Sequence, residues 1–328
     1  MRRLFAISVS IFATTVFIIA SSNSYAAAKY TINLGIVTTP KTFHYKAAAK
    51  FKQIVEKKSG GAIKVIIHHS GSVGNETSIL QQLQLGVLQA GVITAGPIDK
   101  FVPAIKAIEF PFIFKDYKDA DRILDGKIGK AILSKFRDAN LIGFHFLENG
   151  FRNLTNSVRP VHSAKDVKGL KIRVMNSQLH IAIWRAIGAN PTPMPWPIYT
   201  QLSQHVIDGQ ENPLAVIYQY KLYEVQKYLS LTHHVYSALV FVGSKSFYDK
   251  LPAKYQKLLY SAAKDASIYE RKLNRDKVKF FLSELKKHGM IIDEHPDIAS
   301  FKKKVIPLKS RFTGDAKRYL DMILAASK

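Results

Sequence analysis

No cysteine occurs anywhere in the 328 residues. That excludes disulfides, thiolate metal sites, a cysteine nucleophile and lipid attachment through an N-terminal cysteine. Acidic residues are scarce as well: 24 Asp and Glu stand against 48 Lys and Arg, a formal net charge of +24. Beyond residue 20, no stretch approaches the ~18 uninterrupted apolar residues of a membrane-spanning helix. The short signatures of common catalysts are also missing, since there is no GxSxG elbow, no P-loop, no GxGxxG turn after a strand and no HExxH.

The N-terminus has basic Arg2 and Arg3, an apolar run from Leu4 to Ala20 and the small-residue exit SSNSYAAAK. These are the three parts of a secretory signal, so residues 1–26 are expected to be removed, with cleavage after Ala26 or Ala28, and the mature protein is expected in the periplasm. A chain of this length buries a core without covalent staples and suits two domains. The basic excess would raise nucleic acid as a partner. It is instead scattered through amphipathic segments and ends in FKKKVIPLKSRF (301–312), with no aromatic-basic RNA motif. We therefore read it as a solvated surface that attracts anionic solutes, with no nucleic-acid partner.

Strand-like runs alternate with helical ones. YTINLGIV (30–37), AIKVIIHH (62–69), LQAGVIT (88–94), NLIGFHFLE (140–148) and GLKIRVM (169–175) read as strands. Thr38 to Ser59, Glu76 to Leu85 and LHIAIWRAIG (179–188) read as helices, the last closed by Gly188. This alternation predicts an α/β fold with a largely parallel buried sheet. From Ala253 to Gly289 no proline or glycine interrupts a helical pattern until its final residue, which predicts one unusually long helix.

Arg173 sits on the otherwise apolar strand GLKIRVM, with Ile172 and Val174 on the opposite face. An arginine so placed either pairs with an internal carboxylate or awaits a ligand anion, because an unpaired buried charge is costly. Two histidine pairs, His68-His69 and His233-His234, invite a metal reading. Adjacent strand residues face opposite sides and cannot chelate one ion together, so no metal and no cofactor is expected.

Four segments, GFRNLTNS (150–157), GLKIRVMNS (169–177), GANPTPMPW (188–196) and IDGQENP (207–213), follow one another in an order that resembles the DctP-type extracytoplasmic receptors of TRAP transporters. The resemblance covers nearly the whole mature chain. It implies a two-domain periplasmic solute-binding protein with a hinge, central mixed sheets and a long helix spanning both domains. Domain I would comprise 29–149 plus about 238–277, and domain II 150–237 plus about 278–328. Partners would be a small organic-acid ligand and the small and large membrane subunits of a TRAP permease, with the receptor a monomer and not an enzyme.

In that family the arginine of GLKIRV clamps the substrate carboxylate, which assigns the role to Arg173; its planar fork matches a carboxylate and keeps its proton. Asn176 matches a second polar contact, or caps the following helix. Arg152 in GFRNLT matches a second site arginine, and Asn212 in DGQENP an asparagine completing the pocket. Trp196 falls where the family has an aromatic wall, although Pro197-Ile198 replace its usual serine-glutamate pair. Glu76 matches an acidic position that takes solute hydroxyls, or simply complements its helix dipole. His44 matches a polar entry position, and His234 a position near the domain crossover that lines the cleft. Val37, Val92 and Thr94 are smaller or less polar than their counterparts in sialic-acid receptors. The details favour a sugar acid (a uronate, an aldonate or a diketogulonate), with a C4-dicarboxylate next. A periplasmic sensor component and a secreted hydrolase are the alternatives.

Overall fold

The computed structural model describes residues 28–327, so the secretory signal read at 1–26 lies outside the described residues. Nine strands form one sheet: β1 (Tyr30–Gly35), β2 (Ile63–His68), β3 (Ala90–Thr94), β4 (Leu141–Asn156), β5 (Lys171–Val174), β6 (Asn190–Pro193), β7 (Gly209–Asn212), β8 (Tyr228–Ser244) and β9 (Ile291–Asp293). Their order is β2-β1-β3-β8-β4-β7-β5-β6, with β9 paired to β8. The outer strands are parallel, as alternation of strands and helices predicts. The centre differs, for β4 and β8 are antiparallel along most of their length. Sequence pattern cuts these two into shorter pieces because polar residues such as Glu148 and Arg152 interrupt the apolar runs, yet both side chains are buried.

β4 and β8 run through the whole molecule and divide it into two halves. β1, β2 and β3 flank one end of the pair, while β7, β5 and β6 flank the other. The β4–β8 register shifts between Glu148 and Gly150, where Gly150 adopts φ 113°, a conformation open to glycine at little cost.

Local signals set the helices that position the site. Thr42 caps α1 (Phe43–Lys58) by accepting from the Tyr45 N–H. Asn75 caps α2 (Glu76–Leu85) through the Ser78 N–H, and left-handed Gly86 ends it. α3 is Lys127–Ser134. Ser177 caps α4 (Gln178–Ile187), which stops at left-handed Gly188.

The helix expected over Ala253–Gly289 is interrupted. α5 (Ala253–Arg275) and α6 (Val278–Lys287) are separated at Asp276-Lys277, where the Lys277 N–H reaches only to the Asn274 carbonyl. Anchoring of the last turn of α5 accounts for the break. Asn274 donates to the Asn149 carbonyl at 3.1 Å, and Arg275 bonds Asp121 and Glu148. α5 thus stays on α1 and β4, and α6 turns away to pack with Leu214–Gln219. The last helix, Gly314–Ala326, returns to cover Pro103–Glu109.

Candidate functional site

A cavity lies between the two halves and encloses about 500 Å³ of empty space, its open mouth included. One wall comes from the first half: His44 on α1, Glu76 at the start of α2, and Val37, Val92 and Thr94 on or beside β1 and β3. The other comes from Asn149 and Arg152 on β4, Arg173 on β5, and Trp196, Asn212 and Tyr220. Tyr220 also spans the cleft, its hydroxyl accepting from the Thr39 N–H at 3.2 Å.

Arg173 is buried, yet among the described residues no carboxylate forms an ion pair with it. Its Nε and Nη2 donate to the Met194 carbonyl at 2.9 and 2.6 Å. Trp196 packs beside it, the guanidinium lying 5.9 Å from the ring centroid. Burial and the neighbouring Arg152 lower its pKa to about 10, which leaves it protonated at neutral pH. Of the two possibilities left by the sequence, an internal ion pair is thus the one not realised.

Arg152 took the opposite course. It is bonded to Glu211, with Nη2 2.9 Å from Oε1, and both side chains are buried. Glu211 in turn faces His234 Nε2 at 3.0 Å and His180 Nδ1 at 3.8 Å. Burial would raise the Glu211 carboxyl, but Arg152 and the two histidines hold it well below the usual range. His180, whose Nε2 lies 2.8 Å from Glu109, is raised to about 9: burial opposes this, and the two glutamates outweigh it. One cation at the cavity wall is therefore already neutralised, and Arg173 is not.

Glu76 accepts the Thr94 N–H at 2.7 Å. Burial raises its carboxyl, against the pull of that bond and of both arginines. Asn75 caps α2, which frees Glu76 to point across to β3. Burial likewise lowers His44 to about 4, with a contact to Asn149 opposing, so the ring is neutral. Its Nδ1 has no partner among the described residues.

Six of the eight residues singled out in the sequence line the cavity: His44, Glu76, Arg152, Arg173, Trp196 and Asn212. Asn176 lies in a side recess with Glu76, Arg173 and Met194, and Ser177 rather than Asn176 caps α4. His234 does not line the cavity. It is buried behind it between Thr232 Oγ1 at 2.8 Å and Glu211, because its strand position faces the sheet interior. His233 is exposed, and His68 bonds Asn33, so neither pair forms a joint site. Glu211, Asn149, Thr38 and Tyr220 belong to the site or its support without a mark among the sequence motifs. A lone carboxylate in the strand GQEN, next to Asn212, was the available signal for Glu211.

A cleft between two halves of an α/β molecule, with one unpaired arginine inside, defines a solute-binding protein of the two-domain kind. The family model described as bacterial extracellular solute-binding protein, family 7 (DctP) matches residues 34–315. The chain belongs to this DctP family of TRAP solute-binding proteins. It is 31% identical over 312 residues to the 2,3-diketo-L-gulonate-binding periplasmic protein YiaO of Escherichia coli K12, covering 94% of this chain and 95% of that one. A TRAP periplasmic solute-binding protein from Polaromonas sp. JS666 bound to D-erythronate superposes with TM-score 0.86 at 36% identity, covering 90% of this chain and 97% of that one. The sugar acid binding protein DctPAm from Advenella mimigardefordensis, in complex with galactonate, gives TM-score 0.87 at 32% identity, with 92% and 99% covered. Among the described residues no helix is long and apolar enough to cross a membrane.

Proposed function

We propose that this protein is a periplasmic receptor for one small hydroxylated monocarboxylate, a sugar acid in the size range from erythronate to galactonate. It delivers that acid to a TRAP permease of one small and one large membrane subunit, works as a monomer and turns nothing over. The observation that carries the reading is Arg173: buried in the cavity, protonated, held in orientation by the Met194 carbonyl, and in ion-pair contact with no carboxylate among the described residues. A guanidinium so held offers its remaining N–H groups to a carboxylate at little entropic cost.

A single carboxylate fits better than two. Glu211 compensates Arg152, and Glu76 brings a further carboxyl to the facing wall, so Arg173 is the cation left for a ligand and a second ligand charge would be buried unpaired. Glu76, Asn149, Asn212 and Thr38 supply polar groups for hydroxyls. The ligands of the erythronate- and galactonate-bound relatives and of YiaO agree with this class.

The two walls belong to different halves, so a ligand touching both favours the closed arrangement through its differential contacts. A thermal-shift series on the mature protein tests the proposal. Aldonates, uronates and diketogulonate are compared with succinate and with the parent neutral sugars. At least one sugar acid should raise the melting temperature while its neutral sugar does not. Equal stabilisation by the neutral sugar overturns the anion receptor, greater stabilisation by succinate overturns the monocarboxylate, and conversion of the bound acid to product overturns the non-enzymatic reading.

A further inference from the structure

A second cleft, sharing no residue with the solute cavity, lies on the outer face where α3, the first part of β4 and α5 meet. With its mouth included it holds about 1680 Å³ of empty space. Its floor is apolar, made by the buried Leu133, Ile142 and Phe144. Two large apolar side chains at its side stay in contact with water, Tyr260 at 36% and Ile268 at 53% exposure. Lys257, Tyr260, Lys264 and Ile268 recur at helical spacing on one face of α5 and line the cleft together. An apolar floor with exposed apolar walls is uncommon on a soluble surface unless something covers it.

Charge indicates the occupant. Lys130, Lys257 and Lys264 line the cleft, and none has a carboxylate within ion-pair distance among the described residues. Arg137 adds a fourth cation, although Asp249 stands 3.6 Å from it. Asp125 is the one acid in the lining, and Arg271 occupies it with bonds of 2.6 and 3.1 Å. Burial lowers the pKa of His145, the remaining titratable group besides Tyr260. Through these lysines the cleft therefore presents solvated positive charge with no acidic partner around a hydrocarbon floor, which an anionic head complements and a neutral apolar molecule does not.

We propose that this cleft is a second ligand site taking one free amphiphilic carboxylate. The unbranched alkyl tail lies on the Leu133–Ile142–Phe144 floor, and the head sits among the ammonium groups of Lys130, Lys257 and Lys264. Lysine suits such a site because its stem covers the tail while its charge reaches the head.

Decanoate, kept below its micellar concentration, is the probe for calorimetry on the mature protein. One decanoate should bind per chain, and Arg173→Ala should leave that binding unchanged even where it abolishes solute binding. Lys264→Glu and Ile268→Glu change exposed side chains, so circular dichroism should show both variants folded, and each should weaken decanoate by roughly tenfold or more. Decanol and butyrate should bind more weakly by a similar factor. The proposal is overturned if both variants bind as the wild type does, if decanol matches decanoate, or if Arg173→Ala removes the binding. Association with phosphatidylglycerol vesicles in the absence of any decanoate heat also overturns it, because the cleft would then face a lipid surface.

Discussion

Glu211 accepts a hydrogen bond from Arg152 at 2.9 Å at the cavity wall, and both side chains are buried. The pair joins β7 to β4 and cancels one of two neighbouring positive charges, so the site has a single cation to offer. Most of the expected specificity follows from that cancellation.

Glu211→Gln should therefore act on stability and on selectivity together. Breaking one side of a buried pair leaves Arg152 uncompensated and costs about 3–5 kcal/mol. The melting temperature should fall accordingly, as differential scanning calorimetry would register. In the folded fraction, affinity for a dicarboxylate such as succinate should rise relative to the matching monocarboxylate. An unchanged ratio would separate Glu211 from ligand choice.

Arg173→Ala should remove most solute affinity, by about 2–5 kcal/mol or roughly 30-fold to several thousand-fold. Arg173→Lys should also bind poorly, since a point charge cannot both grip the Met194 carbonyl and present a fork. Binding by either variant within about threefold of wild type, measured by calorimetry, would exclude Arg173 as the clamp.

His44 gives a pH dependence of definite sign. Its pKa is lowered by burial from 6.5 to about 4, so below 6.5 the unfolded chain takes up the proton first and stability falls with pH until about 4. The loss amounts to as much as about 3 kcal/mol for one fully buried ring. Melting temperatures of wild type and His44→Gln should diverge in slope between these limits, the variant being flatter. Parallel curves would mean that the ring is not kept neutral by the fold.

Closure should compact the molecule without refolding it. Saturating sugar acid should reduce the radius of gyration in solution scattering and leave far-UV circular dichroism unchanged, because ligand contacts come from both halves. Superimposable scattering curves with a ligand proven to bind would point to a rigid pocket.

Much of this site was legible in the linear sequence. Arg173 announced itself as a charge in an apolar strand, and its neighbours in the resembled motifs brought Arg152, Asn212, Trp196, Glu76 and His44 to the same cavity. The illegible parts depend on pairing between distant segments. Glu211 becomes the partner of Arg152 only because β7 aligns with β4, Leu154 opposite Glu211, and that register is not written in either segment. His234 looked like a cleft residue until its face of β8 was known. The break between α5 and α6 needs no proline or glycine, since Asn274 and Arg275 are drawn to Asn149, Glu148 and Asp121 on other elements.

The bond from Arg173 to the Met194 carbonyl engages the peptide backbone and not the methionine side chain. Every residue type carries that oxygen, so position 194 can change its side chain without loosening the hold on the Arg173 guanidinium. On the proposed role of Arg173, the duty of holding an acid is thus uncoupled from the duty of choosing which acid. Under that proposal new preferences can be tried on the wall while the arginine stays in place, and redesign for another acid should begin at Val92 and Thr94, which line the cavity away from the Arg173–Met194 bond.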